Sequence, residues 1–460
     1  MLTERLQSPR GMPGVGECPV ARVRSGAVPV SRKRKKKSQS GRRPGAPTPS
    51  RMAQANPLRE VFEYRRRLDE HRTALATESA GPMVDALVAA APGRSDDDLE
   101  DDFCARFGAA MLQYERGPLE DRVNPDDFVR AVLSVLDERL HEAEESGIGL
   151  AVVQRLLAVL AGVLPAPLSV SAQDLVAEHL DDDAAQRAIR GRAVTGSALW
   201  ARDSYGGRWA VVAPFASADG SGRWYLWDVD ACGYEVATVY SAFYKSAEAA
   251  LTEWRQAVGP SAAGATLTPA DDTETLDALL VGEVEGIRPG GEDQEQYAEF
   301  LRSRRLGRTV RQAAGPARPG RTLARLSADT AAERFARRLR RLGHDDRPAG
   351  DASDEGPAGA TDLAAEMADS WSPREYPGLY PACSPHKVAA VVLHLRDFYK
   401  DDFAAELVAI LPEWIQFLAE HTGMTADLTK RCVDYASGEL QFPGLLDESG
   451  RPSLMTRVTE

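Results

Sequence analysis

The sequence lacks the features of several large classes of protein. It has no apolar run of the roughly 18 to 20 residues that a membrane-spanning helix requires, and the longest candidate, from Ile148 to Leu164, is interrupted by Gln154 and Arg155. The first 30 residues contain scattered Arg, Pro and Gly, without the continuous apolar segment that a secretory signal needs. We therefore expect a cytoplasmic protein without a membrane span.

Cysteine is also scarce. The 460 residues include 5 cysteines, and no two of them are close in the sequence. An odd number of widely spaced cysteines favours neither a disulfide framework nor a CxxC metal-binding pair. The sequence therefore predicts reduced thiols at Cys18, Cys104, Cys232, Cys383 and Cys432.

Familiar catalytic motifs are missing as well: the chain has no GxxxxGK[ST] motif, no GxSxG motif and no GxGxxG motif after a predicted strand. The segment HEAEE at His141 resembles the start of a zinc-binding HExxH motif, but it lacks the second histidine one helical turn later, so we interpret it as an exposed helix end. Asp228 and Asp230 share one face of a predicted strand, yet a hard cation needs more oxygen ligands than this segment supplies. The sequence therefore predicts no catalytic residue, no cofactor and no metal ligand, and it favours a protein that is not an enzyme.

Charge, by contrast, is abundant and is distributed in blocks. Acidic residues number 69 and basic residues 56, which gives a formal net charge of -13 at pH 7. Residues 1–51 nevertheless contain 13 Lys and Arg against two acids. The segment is polar and its like charges repel one another, so it cannot bury an apolar core. We therefore expect a disordered basic arm over residues 1–55. The candidate polyanion-binding residues of this arm are Arg32, Lys33, Arg34, Lys35, Lys36 and Lys37.

The arm also contains an alternative start. Val30 directly precedes the lysine-rich run, and a valine codon can serve as a bacterial start. Residues 1–29 show no hydrophobic periodicity, as expected of untranslated sequence. Two interpretations of residues 1–29 therefore stay open: they belong to the arm, or they result from an incorrectly assigned start.

A second basic block follows an acidic one within residues 260–361. Residues 261–300 carry ten acids and one arginine, whereas residues 301–341 carry 13 arginines and two acids. We interpret 260–361 as a charged linker that contains one arginine-rich helix near 328–342. The arginines of this helix could follow a phosphate backbone, or they could pair with the acidic segments on either side. Its candidate polyanion-binding residues are Arg334, Arg337, Arg338 and Arg341.

Apolar residues at helical spacing predict two helical domains. Between residues 56 and 191 they recur every three or four positions, with Pro, Ser or Asn at the helix starts. Residues 362–440 show the same pattern, with one helix ending near Leu411 and the next beginning at Pro412. We interpret residues 441–460 as a loose tail.

Residues 197–259 differ from the rest of the chain in composition and hydrophobic pattern, because they contain five of the seven tryptophans and alternating apolar positions. The alternation predicts a small antiparallel sheet followed by one helix. The aromatic side chains either fill the core of this thin module or form an exposed surface that binds a partner. An alternating strand cannot bury Trp224 and Tyr225 on the same face, so a further element or a partner must cover part of this surface. The candidate partner-binding aromatics are Trp209, Trp224, Tyr225 and Trp227.

These features together predict a multidomain, mainly α-helical protein with a small α+β module, an antiparallel sheet plus one helix, and a disordered basic N-terminal arm. The favoured function is that of a non-enzymatic, cytoplasmic binding or regulatory protein that associates with nucleic acid through its basic segments, electrostatically and without sequence specificity. The alternative is a protein-interaction scaffold that uses the aromatic module and the C-terminal helices. The sequence predicts no oligomeric state.

Overall fold

The structure is a computed structural model that describes residues 57–179, 193–216, 222–232, 236–281, 294–321, 323, 325–344, 358–371 and 374–442. The predictions for the basic arm, including those for Arg32 to Lys37, lie outside the described residues. So do those for most of the predicted tail.

Five helices open the described part of the chain, and polar side chains set where two of them begin. Ser95 and Asp98 form a capping box, in which each side chain accepts a hydrogen bond from the other residue's backbone N–H. Asn124 accepts a hydrogen bond from the backbone N–H of Asp126 at 2.9 Å. The apolar faces of these helices meet in one core around Phe107 and Phe128. The helices are α1 (Pro57–Ala90), α2 (Asp96–Arg116), α3 (Pro125–Ser146), α4 (Leu150–Val163) and α5 (Leu168–His179).

The aromatic module forms an antiparallel sheet with the strand order β4-β3-β2-β1-β5. Strands β2 and β3 pair along their full length, with Trp227 opposite Val211. Gly206 adopts a φ of 73°, the positive value that the tight turn between β1 and β2 uses. The predicted fold class, mainly α with a small antiparallel α+β module, is confirmed. The strands are β1 (Leu199–Arg202), β2 (Arg208–Ala216), β3 (Gly222–Asp230), β4 (Ala237–Tyr244) and β5 (Thr268–Pro269), and helix α6 (Ala247–Val258) follows β4.

Helices cover both faces of this sheet. Alternate residues of a strand point to opposite faces, so two separate sets of apolar side chains need cover. One set packs against Leu251 and Trp254 of α6. The other set packs against α7 (Thr273–Val281) and against α8 (Gln294–Ala314), which contributes Leu306 and Val310. The additional cover that the aromatic strands require thus comes from within the chain.

The region 260–361, interpreted from its charge as a linker, therefore contains packed helices in its described part. Apolar residues among the charges of α8 reach two different cores. Tyr297 and Leu301 join the core of the N-terminal helices, whereas Leu306 and Val310 lie beneath the sheet. Helix α8 belongs to both cores, and Val61–Glu460 forms one compact unit.

The C-terminal helices form a further core around Trp371 and Trp414. The helix predicted near 328–342 is present, and it packs within this bundle because Phe335 is fully buried there. The helices are α9 (Ala328–Arg341), α10 (Ala360–Ser370), α11 (Pro385–Phe398), α12 (Asp401–Thr422) and α13 (Ala426–Ala436).

Helix α12 runs through Pro412, so the predicted break between two helices at this position is wrong. Proline removes one hydrogen bond of the helix and crowds the preceding turn. Leu411 and Trp414 on either side of it are fully buried, and their packing holds the helix together across the proline.

Candidate functional site

Helix α9 is positioned by a capped start and a narrow apolar stripe. Ser327 accepts a hydrogen bond from the backbone N–H of Thr330 at 3.2 Å, and Asp329 lies in the first turn, where the helix dipole favours negative charge. The ring centroid of Phe335 lies 4.9 Å from that of Trp414 in the bundle core. This docking by a narrow stripe leaves the flank of α9 beside α12 at the surface.

Four arginines of α9 form a stripe along this exposed side. Their positions are i, i+3, i+4 and i+7, which lie on one face of a helix. The stripe lines a surface groove of about 590 Å³, together with Phe417 and Glu420 of α12. The four are Arg334, Arg337, Arg338 and Arg341, so all the predicted polyanion-binding residues of this helix come together in what we call the arginine groove.

Arg338 is neutralised within the chain. Its guanidinium group donates hydrogen bonds to Glu413 and, at 2.7 Å, to Glu420. Burial lowers the pKa of Arg338, but the bonds to Glu420 and Glu413 more than reverse this effect, and the pKa is raised overall. Arg338 is therefore paired internally, but with acids of α12 and not with the acidic segments on either side of the helix that the sequence suggested.

The other three arginines of the groove face solvent. Arg334 donates through Nη1 to Nε2 of His421 at 3.2 Å, a contact with a ring nitrogen and not with an acid. Arg337 bonds to a backbone carbonyl of its own helix, that of Glu333. Arg341 has no hydrogen bond or ion pair with the residues that the structure describes. Three guanidinium groups on one helix face thus remain available to an external anion.

Arginines earlier in the same basic block are used differently. On α8 and in the segment after it, several side chains form ion pairs with acids of the same helix or of neighbouring elements, where they contribute to packing and not to a charged surface. These pairs are Arg302 with Glu299 and Asp101, Arg311 with Asp277, and Arg325 with Asp272 and Glu274. Internal pairing with the acidic segment therefore applies to these earlier arginines, whereas contact of the groove arginines with a phosphate backbone stays a prediction.

The sequence analysis did not identify the residues of α12 that complete the groove. Glu413, Phe417 and Glu420 lie at positions i, i+4 and i+7, which is the spacing of a helix face. His421 donates through Nδ1 to the carbonyl of Phe417 at 2.8 Å, and this bond leaves Nε2 to accept from Arg334. The periodicity was available as a signal, but nothing local indicates that this face meets α9.

Of the two alternatives for the aromatic side chains, core or partner surface, burial in the described part of the chain favours the core. Trp209, Tyr225 and Trp227 are each at most 1% exposed, and Trp224 is partly buried. Trp227 Nε1 donates to the carbonyl of Ser303 in α8 at 3.1 Å. Trp209, Tyr225 and Trp227 are therefore core residues. Helix α8, which the sequence analysis placed in the linker, covers their face of the sheet.

Asp228 and Asp230 also have a structural role. Arg208 Nε and Nη2 donate to the two carboxylate oxygens of Asp228 at 2.6 and 2.8 Å, and Arg208 Nη1 lies 3.4 Å from Asp230. Trp254 Nε1 donates to Asp228 as well, at 2.9 Å. These buried carboxylates are engaged by protein donors.

Comparison of the chain with models of protein families, with curated proteins and with solved structures finds no match in any of the three. Within the described residues, every helix falls short of the length and apolar character needed to cross a membrane.

Proposed function

We propose that this chain is a non-enzymatic, cytoplasmic binding protein for polyanions, nucleic acid in the first place, and that the arginine groove is a contact surface. The observation that carries the proposal is that Arg334, Arg337 and Arg341 face solvent together on one helix face. Guanidinium groups form paired hydrogen bonds with phosphate, which favours phosphate ligands over other anions.

The size of the groove limits the mode of binding. Arg341 lies seven positions after Arg334, a rise of about 10 Å along the helix axis. A stripe of this length contacts roughly three phosphates, which corresponds to a slope of about -2 to -3 for log K against log salt concentration. We therefore expect weak binding without sequence specificity, strengthened in the full chain by the basic arm.

The test uses the full chain and a fluorescently labelled nucleic acid, with affinity measured by fluorescence anisotropy over a range of salt concentrations. The variant Arg334→Gln, Arg337→Gln, Arg341→Gln removes the outward charges and retains Arg338, whose loss would leave Glu413 unpaired. We expect weaker binding and a salt slope smaller by about 2 to 3, because three phosphate contacts are lost.

A matched control removes the same number of charges elsewhere. Arg66, Arg130 and Arg374 are at least half exposed and each pairs with a neighbouring acid, so their replacement by Gln leaves the groove intact. The control variant should keep the slope of the unmodified protein. An equal loss in both variants would show that net charge, and not the groove, governs binding. A separate deletion of residues 30–51 measures the contribution of the arm.

The alternative function is a protein-interaction scaffold. The surface that remains for it is that of the C-terminal helices, because three of the four proposed aromatic residues are buried. Affinity purification from the native host, with and without nuclease, separates the two functions. Loss of partners after nuclease treatment supports nucleic-acid binding, whereas retained partners support the scaffold.

A further inference from the structure

Two histidines and an aspartate from distant parts of the sequence meet where α5 packs on α3. Asp137 and His141 are four residues apart on α3, so their side chains share one face of the helix. His179, the last residue of α5, faces the same place. The second histidine that the segment at His141 lacks locally is thus supplied by another helix.

The distances suit a small metal ion. His179 Nε2 lies 3.1 Å from Asp137 Oδ1, and His141 Nδ1 lies 3.4 Å from the same oxygen. One ligand atom from each of the three residues falls within 4.8 Å of the others. Tetrahedral Zn²⁺ with bonds of about 2.0 to 2.2 Å has ligand atoms roughly 3.3 Å apart, close to these separations. Metal binding through His141 Nδ1 would replace its present 2.9 Å hydrogen bond to the backbone carbonyl of Asp137.

Glu144 provides an independent observation that points to a ligand site. Its carboxylate accepts a hydrogen bond from Nδ1 of His179 at 2.9 Å, and the His179 side chain is only 3% exposed. A carboxylate on the far ring nitrogen is the usual outer partner of a metal-binding histidine, because it selects the tautomer and directs Nε2 at the metal. Gln154 holds the backbone of His179 with a 2.6 Å bond to its carbonyl.

The electrostatic field at this place is negative. The carboxylates of Asp137 and Glu144 both contact the ring nitrogens of His179, at 3.1 and 2.9 Å, and their negative charge attracts a metal cation.

We propose that Asp137, His141 and His179 bind one divalent transition-metal ion of the zinc class, with Glu144 as the residue that positions His179. Imidazole ligands select such ions over Mg²⁺ and Ca²⁺, which prefer oxygen. Three protein ligands leave one position of a tetrahedral ion to water. His141 is 58% exposed, so that position can open to solvent.

The proposal is tested on the full chain, stripped with a chelator and then titrated with Zn²⁺ and, for its visible absorption, with Co²⁺. We expect one tightly bound equivalent of either ion. His141→Ala is the principal variant, because its exposed side chain can be removed without opening the core; Asp137→Asn is the second. Each should weaken binding by about tenfold or more, and Glu144→Gln should weaken it by about 10- to 100-fold.

His71→Ala is the matched control, since His71 is a half-exposed histidine that pairs with Asp121 at another place on the surface. It should bind the ion as the unmodified protein does, and circular dichroism should show the same helix content in every variant. The proposal is overturned if the unmodified protein binds no stoichiometric Zn²⁺ or Co²⁺. It is equally overturned if His141→Ala and Asp137→Asn bind as tightly as the control, because the ion would then lie elsewhere.

Discussion

Lys387 shows how a single residue can limit stability. Its side chain is 2% exposed, and Nζ has no hydrogen-bond partner among the described residues. The nearest compensation is the ring of Trp371, whose centroid lies 5.4 Å from Nζ. Burial lowers the pKa of Lys387 to about 8, since the charged form loses its hydration. At pH 7 the protein therefore carries a buried charge that has no hydrogen-bond partner among the described residues.

We expect Lys387→Met to stabilise the protein at pH 7. Methionine has a similar length and leaves no buried charge, so the free energy of unfolding should rise by about 1 to 3 kcal/mol. Urea unfolding followed by circular dichroism measures the change. A lower midpoint than in the unmodified protein would show that the ammonium group has a stabilising contact.

The lowered pKa of Lys387 also predicts that the stability of the protein depends on pH. Between pH 8 and the ordinary lysine pKa of 10.5, the unfolded chain binds the proton and the folded chain does not, so stability contributed at Lys387 rises with pH. The advantage of Lys387→Met should therefore shrink from pH 7 to pH 10. Comparing the two proteins at each pH cancels the cysteines, whose thiols titrate in both. A constant difference would contradict the lowered pKa.

At the scale of elements, the close approach of α2 and α8 depends on a glycine. A Cβ added at Gly108 of α2 would lie 2.5 Å from the carbonyl oxygen of Gln294 and 2.6 Å from the backbone nitrogen of Ala298, both in α8. Backbone atoms cannot rotate away as a side chain can. Helix α8 therefore reaches the N-terminal core only because residue 108 has no side chain.

We expect Gly108→Ala to lower the free energy of unfolding by about 1 to 3 kcal/mol, because the two helices must separate. Gly162→Ala is the control: Gly162 lies within α4 and has no atom within 4 Å of an added Cβ. That variant should gain about 0.5 to 1 kcal/mol from helix propensity. Denaturant unfolding of both variants measures these opposite changes, and equal changes would contradict the close contact.

At the scale of the whole molecule, α8 joins parts of the chain that the sequence presents as separate. Arg302 at its centre forms ion pairs with Glu100 and Asp101 of α2, which lie about 200 positions earlier in the chain. Tyr225 of the sheet donates to Glu299 of the same helix at 2.6 Å. The loss of α8 would therefore expose the N-terminal core and the sheet together.

This arrangement predicts cooperative unfolding from Val61 onward. All seven tryptophans lie between Trp200 and Trp414, so their fluorescence reports on the sheet and the C-terminal helices, whereas circular dichroism also reports on α1 to α5. The two signals should share one urea midpoint. Gly108→Ala should lower both midpoints equally, although no tryptophan lies in α2. Two separate transitions would indicate independent domains.

Local features could be predicted from the sequence because neighbouring residues generate them. Helix α11 lies within residues 362–440, where apolar spacing predicts helices, and the arginine-rich helix α9 occupies almost the predicted residues 328–342. The alternation of apolar residues along the strands also predicted that other elements must cover both faces of the sheet. Pro412 is the exception, because packing of Leu411 and Trp414 outweighs the local preference for a helix break.

The sequence by itself thus determined the helical and strand patterns and the blocks of charge. Only the tertiary structure decided which arginines are neutralised: Arg338 meets Glu413 from 75 positions away, while Arg341 on the same helix face stays outward. Likewise, His179 meets Asp137 only through the packing of α5 on α3. The reason is physical. Caps and periodicity depend on residues within one or two turns, whereas ion pairs, covered faces and ligand clusters depend on which elements pack together.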